Sequence, residues 1–336
     1  MLQTRFTREY HVELPVISAG MAFVARAPLA AAVSAAGGFG TLGATGMPVE
    51  LLEAEIAAIR AQTDRPFGVN FIPRFIESAH ITATAAARVP VVTFFWDDPD
   101  TGWIETLREA GTRVWMQVGS PEQARQAVAS GADAVIAQGH EAGGHNLAVA
   151  GTIALVPAVV DSVAPVPVFA AGGVADGRGL VAALALGADA AVFGTRFVAC
   201  EEADANPGYQ QWIVNAQVGA TTRHLVFGFD FPDAAVRGMR NAIVREYEGN
   251  DDPPPYHGLD PASQPVIGTA SLYGQEVPMA RFMGLPPTRA ATGDLEQMSL
   301  LAGESTGLVH DIRPAAEIVA RIADEARACS QGLAQA

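Results

Sequence analysis

The chain has 336 residues, with 36 acidic side chains against 21 basic ones, a formal net charge of −15 at pH 7, and 49% hydrophobic but only 17% charged residues. That length holds one barrel-sized domain or two ordinary ones with a buried core, and the acidic balance excludes a general nucleic-acid-binding surface. Every basic residue is Arg, so Schiff-base chemistry, lysine-anchored pyridoxal phosphate and a Walker-type phosphate lysine are excluded as well.

From Pro15 to Thr195, short apolar runs rich in β-branched residues alternate with Ala-rich amphipathic segments that usually end in Gly. Strands are predicted at Val16 to Ser18, Phe39 to Leu42, Phe67 to Phe71, Val91 to Phe95, Arg113 to Val118, Ala134 to Ala137, Val166 to Ala170 and Ala190 to Phe193. Helices are predicted at Pro28 to Ala36, Pro48 to Gln62, Ala79 to Ala87, Thr101 to Ala110, Pro121 to Ser130, Thr152 to Val163 and Gly177 to Leu186. Ser130-Gly131-Ala132-Asp133-Ala134-Val135 and Leu186-Gly187-Ala188-Asp189-Ala190-Ala191-Val192 are near copies two βα units apart, each a glycine-capped helix end turning into a strand. Eight such units with buried strands predict an α/β fold, a closed (β/α)8 TIM barrel, with a doubly wound sheet as the structural alternative.

Beyond Ala203 the alternation stops. Longer polar stretches, the Pro253-Pro254-Pro255 run behind Asp251-Asp252, and helical patterns near Tyr209 to Ala216 and Ala234 to Tyr247 predict a mainly helical cap subdomain inserted before the last barrel helix. That helix is expected from Pro314 to about Ala328, with Ile318, Val319, Ile322 and Ala326 on one face. The predicted division is therefore a barrel of residues 1–203 and 312–336, with a cap of residues 204–311 shaping the substrate pocket. Trp212, Phe227, Phe229, Phe231 and Tyr273 are candidates to line it.

Active sites of such barrels lie at the C-terminal ends of the strands, with phosphate often held after strands seven and eight. Ala171-Gly172-Gly173 and Gly194-Thr195 fall at those ends, where glycine lets backbone amides approach an anion and the helix starts at Asp176-Gly177 and Arg196 add favourable dipoles. After strand six comes Gln138-Gly139-His140-Glu141-Ala142-Gly143-Gly144-His145, whose paired glycines leave room for a flat cofactor beside His145. Histidine there can serve as a base, a hydrogen-bond donor or a cation facing an anionic intermediate. The spacing of His140, Glu141 and His145 is not that of a helical zinc motif, so no metal is expected. Cys200 reads as a helix cysteine rather than a nucleophile, and His11, His80, His224, His257 and His310 as surface or packing residues. With only Cys200 and Cys329, no signal-like segment at the start, and no apolar run of membrane-spanning length, a cytoplasmic protein with no membrane partner is expected.

The loop 138–145, the segment Ala170 to Gly179 with Ala182 to Ala188, and Gly194-Thr195-Arg196-Phe197 together resemble the nitronate monooxygenase family, once called 2-nitropropane dioxygenases. Pro15 to Met21, Phe67-Gly68-Val69-Asn70 and Ala302-Gly303-Glu304-Ser305-Thr306-Gly307-Leu308 extend the likeness. The resemblance implies non-covalent FMN. Its phosphate would be held by Ala171, Gly172, Gly173, Gly194 and Thr195, with Gly20, Met21, Asn70, Gln117, Gln138 and Gly144 near the ring or ribityl chain and His145 as the catalytic residue. The implied reaction is oxidation of an alkyl nitronate with O2 to a carbonyl compound and nitrite. The same motifs accompany NAD(P)H-dependent FMN reductases of enoyl thioesters or quinones, which is the alternative. Where the family loop commonly continues through a basic or apolar residue to Gly, this chain has Asn146-Leu147, and a side chain at Leu147 is expected to narrow or redirect the mouth.

Overall fold

The computed structural model describes residues 2–249 and 253–335; Met1, Ala336 and the Asp251-Asp252 pair before the proline run lie outside the described residues. Eight parallel strands form one sheet: β1 (Val16–Ser18), β2 (Gly40–Gly43), β3 (Phe67–Phe71), β4 (Val91–Phe94), β5 (Arg113–Val118), β6 (Ala134–Gln138), β7 (Val168–Ala171) and β8 (Ala190–Phe193). Neighbours in the sheet follow chain order, and β1 pairs with β8 through Val16↔Ala191, Ile17↔Val192 and Ser18↔Phe193. The other edge of β1 meets β2 through an Ile17↔Phe39 bridge, with Phe39 N–H donating to Val16 O at 2.8 Å and Ser18 N–H donating to Phe39 O at 3.0 Å. The sheet thus closes on itself and the doubly wound alternative falls. Such strands have helices on one side and the barrel interior on the other, which is why they read as continuous apolar runs.

The near copies behave alike. Gly131 and Gly187 take left-handed φ of +106° and +94° at the helix ends, a conformation that glycine adopts without steric cost. The Asp two residues on then accepts an amide near the start of the preceding strand: Asp133 from Val114 at 2.8 Å and Asp189 from Val168 at 3.4 Å.

One element has no counterpart in the sequence reading. Helix Arg5–Glu9 pushes Phe6 and Tyr10 into the N-terminal end of the barrel against Phe39, Trp115 and Phe169, with the Phe6 and Phe169 rings 5.0 Å apart and Trp115 Nε1 donating to Tyr10 Oη at 2.8 Å. This plug gives the barrel a floor, so any cavity must open at the opposite, C-terminal end.

The last helix, Ala315–Gln335, lies between helices Gly177–Ala185 and Ala27–Ala35 and completes the outer ring. It comes so close to the first that a Cβ at Gly177 would lie 2.2 Å from Ala326 N. Gly177→Ala therefore forces two backbones apart, and we expect a loss of about 1–3 kcal/mol by overpacking, read as a lowered midpoint in chemical unfolding; an unchanged midpoint would contradict this packing.

The segment 204–311 corrects the mainly helical expectation. Helices Pro207–Asn215 and Ala242–Tyr247 are present, but strands Thr221–His224, Val236–Met239, Val266–Leu272 and Gln275–Ala280 with Thr292–Gly293 cover more of it. The pattern at Ala234 to Tyr247 fails as one helix because Val236–Met239 is claimed by tertiary pairing. It runs antiparallel to Thr221–His224 on one side and to Gly144–His145 on the other.

Candidate functional site

A cavity of about 310 Å³ opens at the C-terminal ends of the strands, within the size range of small-molecule sites. Its wall contains Gly20 and Met21 after β1, Asn70 on β3, Gln117 on β5, Gln138 at the end of β6, Gly144 and His145 beyond it, Ala171, Gly172 and Gly173 at the end of β7, and Gly194 and Thr195 after β8. The barrel brings together His145 and every residue that the resemblance placed around the cofactor. Trp115, packed on the aromatic plug, forms part of the floor.

After β7 and β8 the backbone turns its amides towards open space. Gly172 and Gly173 have φ of +104° and +73°, and the amides of Gly172, Gly173, Gly194 and Thr195 have no acceptor among the described residues. A Cβ at Gly194 would touch only Ala19 Cβ, at 3.8 Å, so the space in front of it is empty of protein. Thr195 Oγ1 accepts from Gly303 N–H at 2.9 Å, which ties the late motif 302–308 to the end of β8. Unbonded amides around open space are what a phosphate requires.

The residues around the ring position divide into two kinds. Gln138 donates through Nε2 to His145 O at 3.1 Å, while its Oε1 is buried with no partner. A buried amide oxygen left unpaired costs about 1–3 kcal/mol, which a ligand N–H or O–H at that point would relieve. Asn70 Nδ2 donates to Thr93 O at 3.3 Å, and Gln117 bonds no other side chain among the described residues. Gly20 and Gly143 are bare for a different reason. A Cβ at Gly20 would lie 2.3 Å from Asn70 Cβ, and one at Gly143 would lie 2.5 Å from Ala302 C and Gly303 N. The protein itself occupies the space beside these two, whereas nothing lies within 4 Å of a Cβ at Gly144.

His145 is held by its backbone. Gly144–His145 pairs with Val236 and Arg237, and the next residue, Asn146, is fully buried and donates through Nδ2 to the carbonyls of Gly139, His140 and Ala142 at 3.0, 3.2 and 3.2 Å. Asn146 Oδ1 accepts from Ala148 N–H at 2.8 Å. The Asn146-Leu147 departure therefore staples the loop from inside, and Leu147 is not part of the cavity wall, which corrects the expected narrowing. The imidazole lies 4.3 Å from the ring of Phe231 and 5.7 Å from that of Trp96 by centroids. Neither ring nitrogen has a partner among the described residues. Burial, and then the nearby Arg74 guanidinium, push its pKa from 6.5 down to about 3. Arg74 itself is held by Asp97, Nε to Oδ2 at 2.6 Å, and stacks 4.7 Å over Phe231. The shift favours the neutral imidazole, a hydrogen-bond donor and weak base.

Other candidates are committed elsewhere. Glu141 accepts from Thr152 N–H at 2.8 Å and from Thr152 Oγ1 at 3.0 Å, capping helix Thr152–Val163. His140 Nδ1 bonds Ala148 O at 3.2 Å. Cys200 lies just past the short helix Thr195–Val198 rather than within a helix, away from the cavity; burial and then Glu202 raise its pKa, and its thiol donates to Glu202 Oε2 at 2.9 Å. Of the aromatic residues nominated in the cap, only Phe231 reaches the cavity. Tyr273 instead packs on Phe23 and donates to Thr45 O at 2.7 Å. Sequence reasoning missed Arg74, Trp96 and Asp230. They converge from three separate segments and no local spacing links them.

By class, then, this is a (β/α)8 barrel with unbonded backbone amides at the ends of β7 and β8 and a histidine in the wall of the cavity above them. Comparison with known proteins narrows the class: the family model for nitronate monooxygenase matches residues 3–75 and 74–325. A probable nitronate monooxygenase of Staphylococcus aureus (strain JH9) is 32% identical over 86% of this chain and 93% of its own length. The structure of FabK from Thermotoga maritima superposes with a TM-score of 0.83 at 36% identity, covering 100% of this chain and 99% of that one. That of nitroalkane oxidase from Streptomyces ansochromogenes does so at 0.77 and 28% identity, over 96% and 98%. The chain belongs to the nitronate monooxygenase family and is a flavin-dependent oxidoreductase.

Proposed function

We propose that this protein binds FMN and oxidises alkyl nitronates with O2 to carbonyl compounds and nitrite. The observation that carries the reading is His145 in the cavity wall with neither ring nitrogen bonded among the described residues, its pKa lowered by burial. Beside it stand the open cradle and the orphaned Gln138 Oε1. In this reading Gly172, Gly173, Gly194 and Thr195 hold the phosphate through their amides, Gln138 Oε1 accepts from the ring, and Asn70, Gln117, Gly20, Met21 and Ala171 pack around the rest. When bound, FMN supplies the two-electron redox chemistry that connects the nitronate to O2. His145 donates a hydrogen bond to a nitronate oxygen and orients the carbon. As a base its low pKa makes it poor, so preformed nitronates are the better substrates and neutral nitroalkanes the slower ones. Residues 204–311 act as the cap and residues 1–203 with 312–336 as the barrel. The substrates are small molecules and the protein works in the cytoplasm; no helix among the described residues is long and apolar enough to cross a membrane. Nitrite formed in proportion to O2 consumed tests the reading, and nitronate turnover without nitrite would overturn it.

The pKa of His145 adds a pH prediction. With the folded value near 3 and the unfolded value near 6.5, kcat/KM for a preformed nitronate shows no limb from His145 near 6.5. The unfolded chain takes up the extra proton first, so stability falls as pH drops through about 6.5 towards 3. Imidazole NMR in the native protein checks this; a His145 resonance titrating near 6.5 would contradict it.

A second reading has its own support. A carboxyl-CoA dehydrogenase of Mycobacterium tuberculosis, whose name specifies (3aS,4S,5R,7aS)-5-hydroxy-7a-methyl-1-oxo-octahydro-1H-indene-4-carboxyl-CoA, is 42% identical over 199 residues, 59% of this chain and 56% of its own length. In that reading the protein is an NAD(P)H-dependent FMN reductase of an enoyl thioester or quinone.

A further inference from the structure

Four ionisable side chains line the cavity among the described residues: Glu141, His145, Tyr209 and Asp230. Glu141 is taken up by the start of helix Thr152–Val163, and the Tyr209 hydroxyl donates to Leu301 O. That leaves His145 on the barrel side and Asp230 on the cap side. Asp230 Oδ1 accepts from Gly284 N–H at 2.5 Å, and its own backbone amide also bonds the carboxyl group, but no other side chain among the described residues does. Gly284 makes the fit possible, because a Cβ there would stand 3.1 Å from Oδ1 and 3.3 Å from Oδ2. No ion pair involves Asp230 among the described residues. The same cavity wall carries the apolar side chains of Phe23, Phe75, Phe95, Phe231 and Leu285.

A carboxyl group in apolar surroundings with no cation is costly unless hydrogen-bonded. A purely structural role, fastening the loop around Asp230 to the loop around Gly284, engages only backbone amides and leaves acceptor capacity of the carboxyl group unused. We propose that Asp230 is a specificity-determining residue that accepts a hydrogen bond from a hydroxyl or amide N–H on an otherwise apolar substrate and disfavours substrates carrying an anionic group at that point. Burial raises the Asp230 pKa, consistent with a carboxyl group lacking a cationic neighbour. The inference rests on this cavity being the substrate site and does not depend on which flavin reaction takes place there.

The test is direct binding of non-reacting probes to the purified protein, followed both by the flavin absorbance and by the fluorescence of Trp96, which stands beside His145 and Phe231. The fluorescence readout survives even if the flavin assignment fails. For wild type we expect 1-octanol and octanamide to bind about tenfold or more tighter than octanoate, the scale of one hydrogen bond to a charged group together with charge repulsion. Asp230→Ala should weaken the alcohol and amide about tenfold and tighten octanoate. Asp230→Asn, which keeps the shape and an acceptor for Gly284, should relieve the penalty on octanoate while retaining most of the alcohol binding. Equal binding of all three probes to wild type, or the same preference in both variants, would overturn the proposal.

Discussion

Gly194→Val should yield a folded protein that has lost most of its flavin. At this position φ is −95° and ψ is −78°, so an L side chain meets no left-handed strain, and the nearest atom to an added Cβ is Ala19 Cβ at 3.8 Å. The protein has room for the side chain, and the phosphate does not. Occluding a site of several amide hydrogen bonds to a dianion, each worth about 1.5–3 kcal/mol, should lower affinity by two orders of magnitude or more. Flavin content after gel filtration, with far-UV circular dichroism as the folding control, checks it. Gly173→Val is expected to lose flavin too, but φ there is +73°, so strain contributes and Gly194 is the cleaner probe. Full flavin occupancy in Gly194→Val would place the phosphate elsewhere.

His145→Ala should keep its flavin, since the cradle lies on other loops, and lose about two orders of magnitude in nitronate turnover, the scale of removing one preorganised donor from a transition state. The loop should survive the change because Asn146 and the Val236 pairing hold its backbone. His145→Gln, which restores an N–H donor, should recover part of the rate with preformed nitronates. Because His145 is a weak base, wild type should already turn over neutral nitroalkanes far more slowly than nitronates at the same pH. A small loss of rate in His145→Ala, equal for both substrate forms, would make the residue structural.

The barrel was legible in the sequence because its signals are local. A β-branched run such as Val91–Phe94, the Ser120-Pro121 helix start and the glycine stops at Gly131 and Gly187 each dictate their own conformation. The glycine-bearing strand ends were legible for the same reason. The plug helix Arg5–Glu9 is too short to show a period, although Thr4 and Thr7 carry the reciprocal capping bonds that mark its start. In the cap, Val266–Leu272 and Gln275–Ala280 form a hairpin whose turn, Tyr273-Gly274, has φ of +53° and +84°. Its single Gly was too weak a signal to override the helical reading of the region. The surroundings of His145 were the least legible. Arg74, Trp96 and Phe231 come from three loops, and only the folded chain shows that they bury the imidazole and favour its neutral form. Gly20 and Gly143 show the converse, glycines of the cavity wall whose bareness serves the protein's own packing.

The most direct test of the central claim is anaerobic titration of the purified protein, following the flavin absorbance near 450 nm, a typical flavin band (about 450 nm) set by the cofactor rather than the chain. The account predicts stoichiometric bleaching by a preformed alkyl nitronate, little effect of NADH or NADPH, and release of FMN as the chromophore by mass. Bleaching by NAD(P)H with no response to nitronates would contradict it and establish the reductase reading instead.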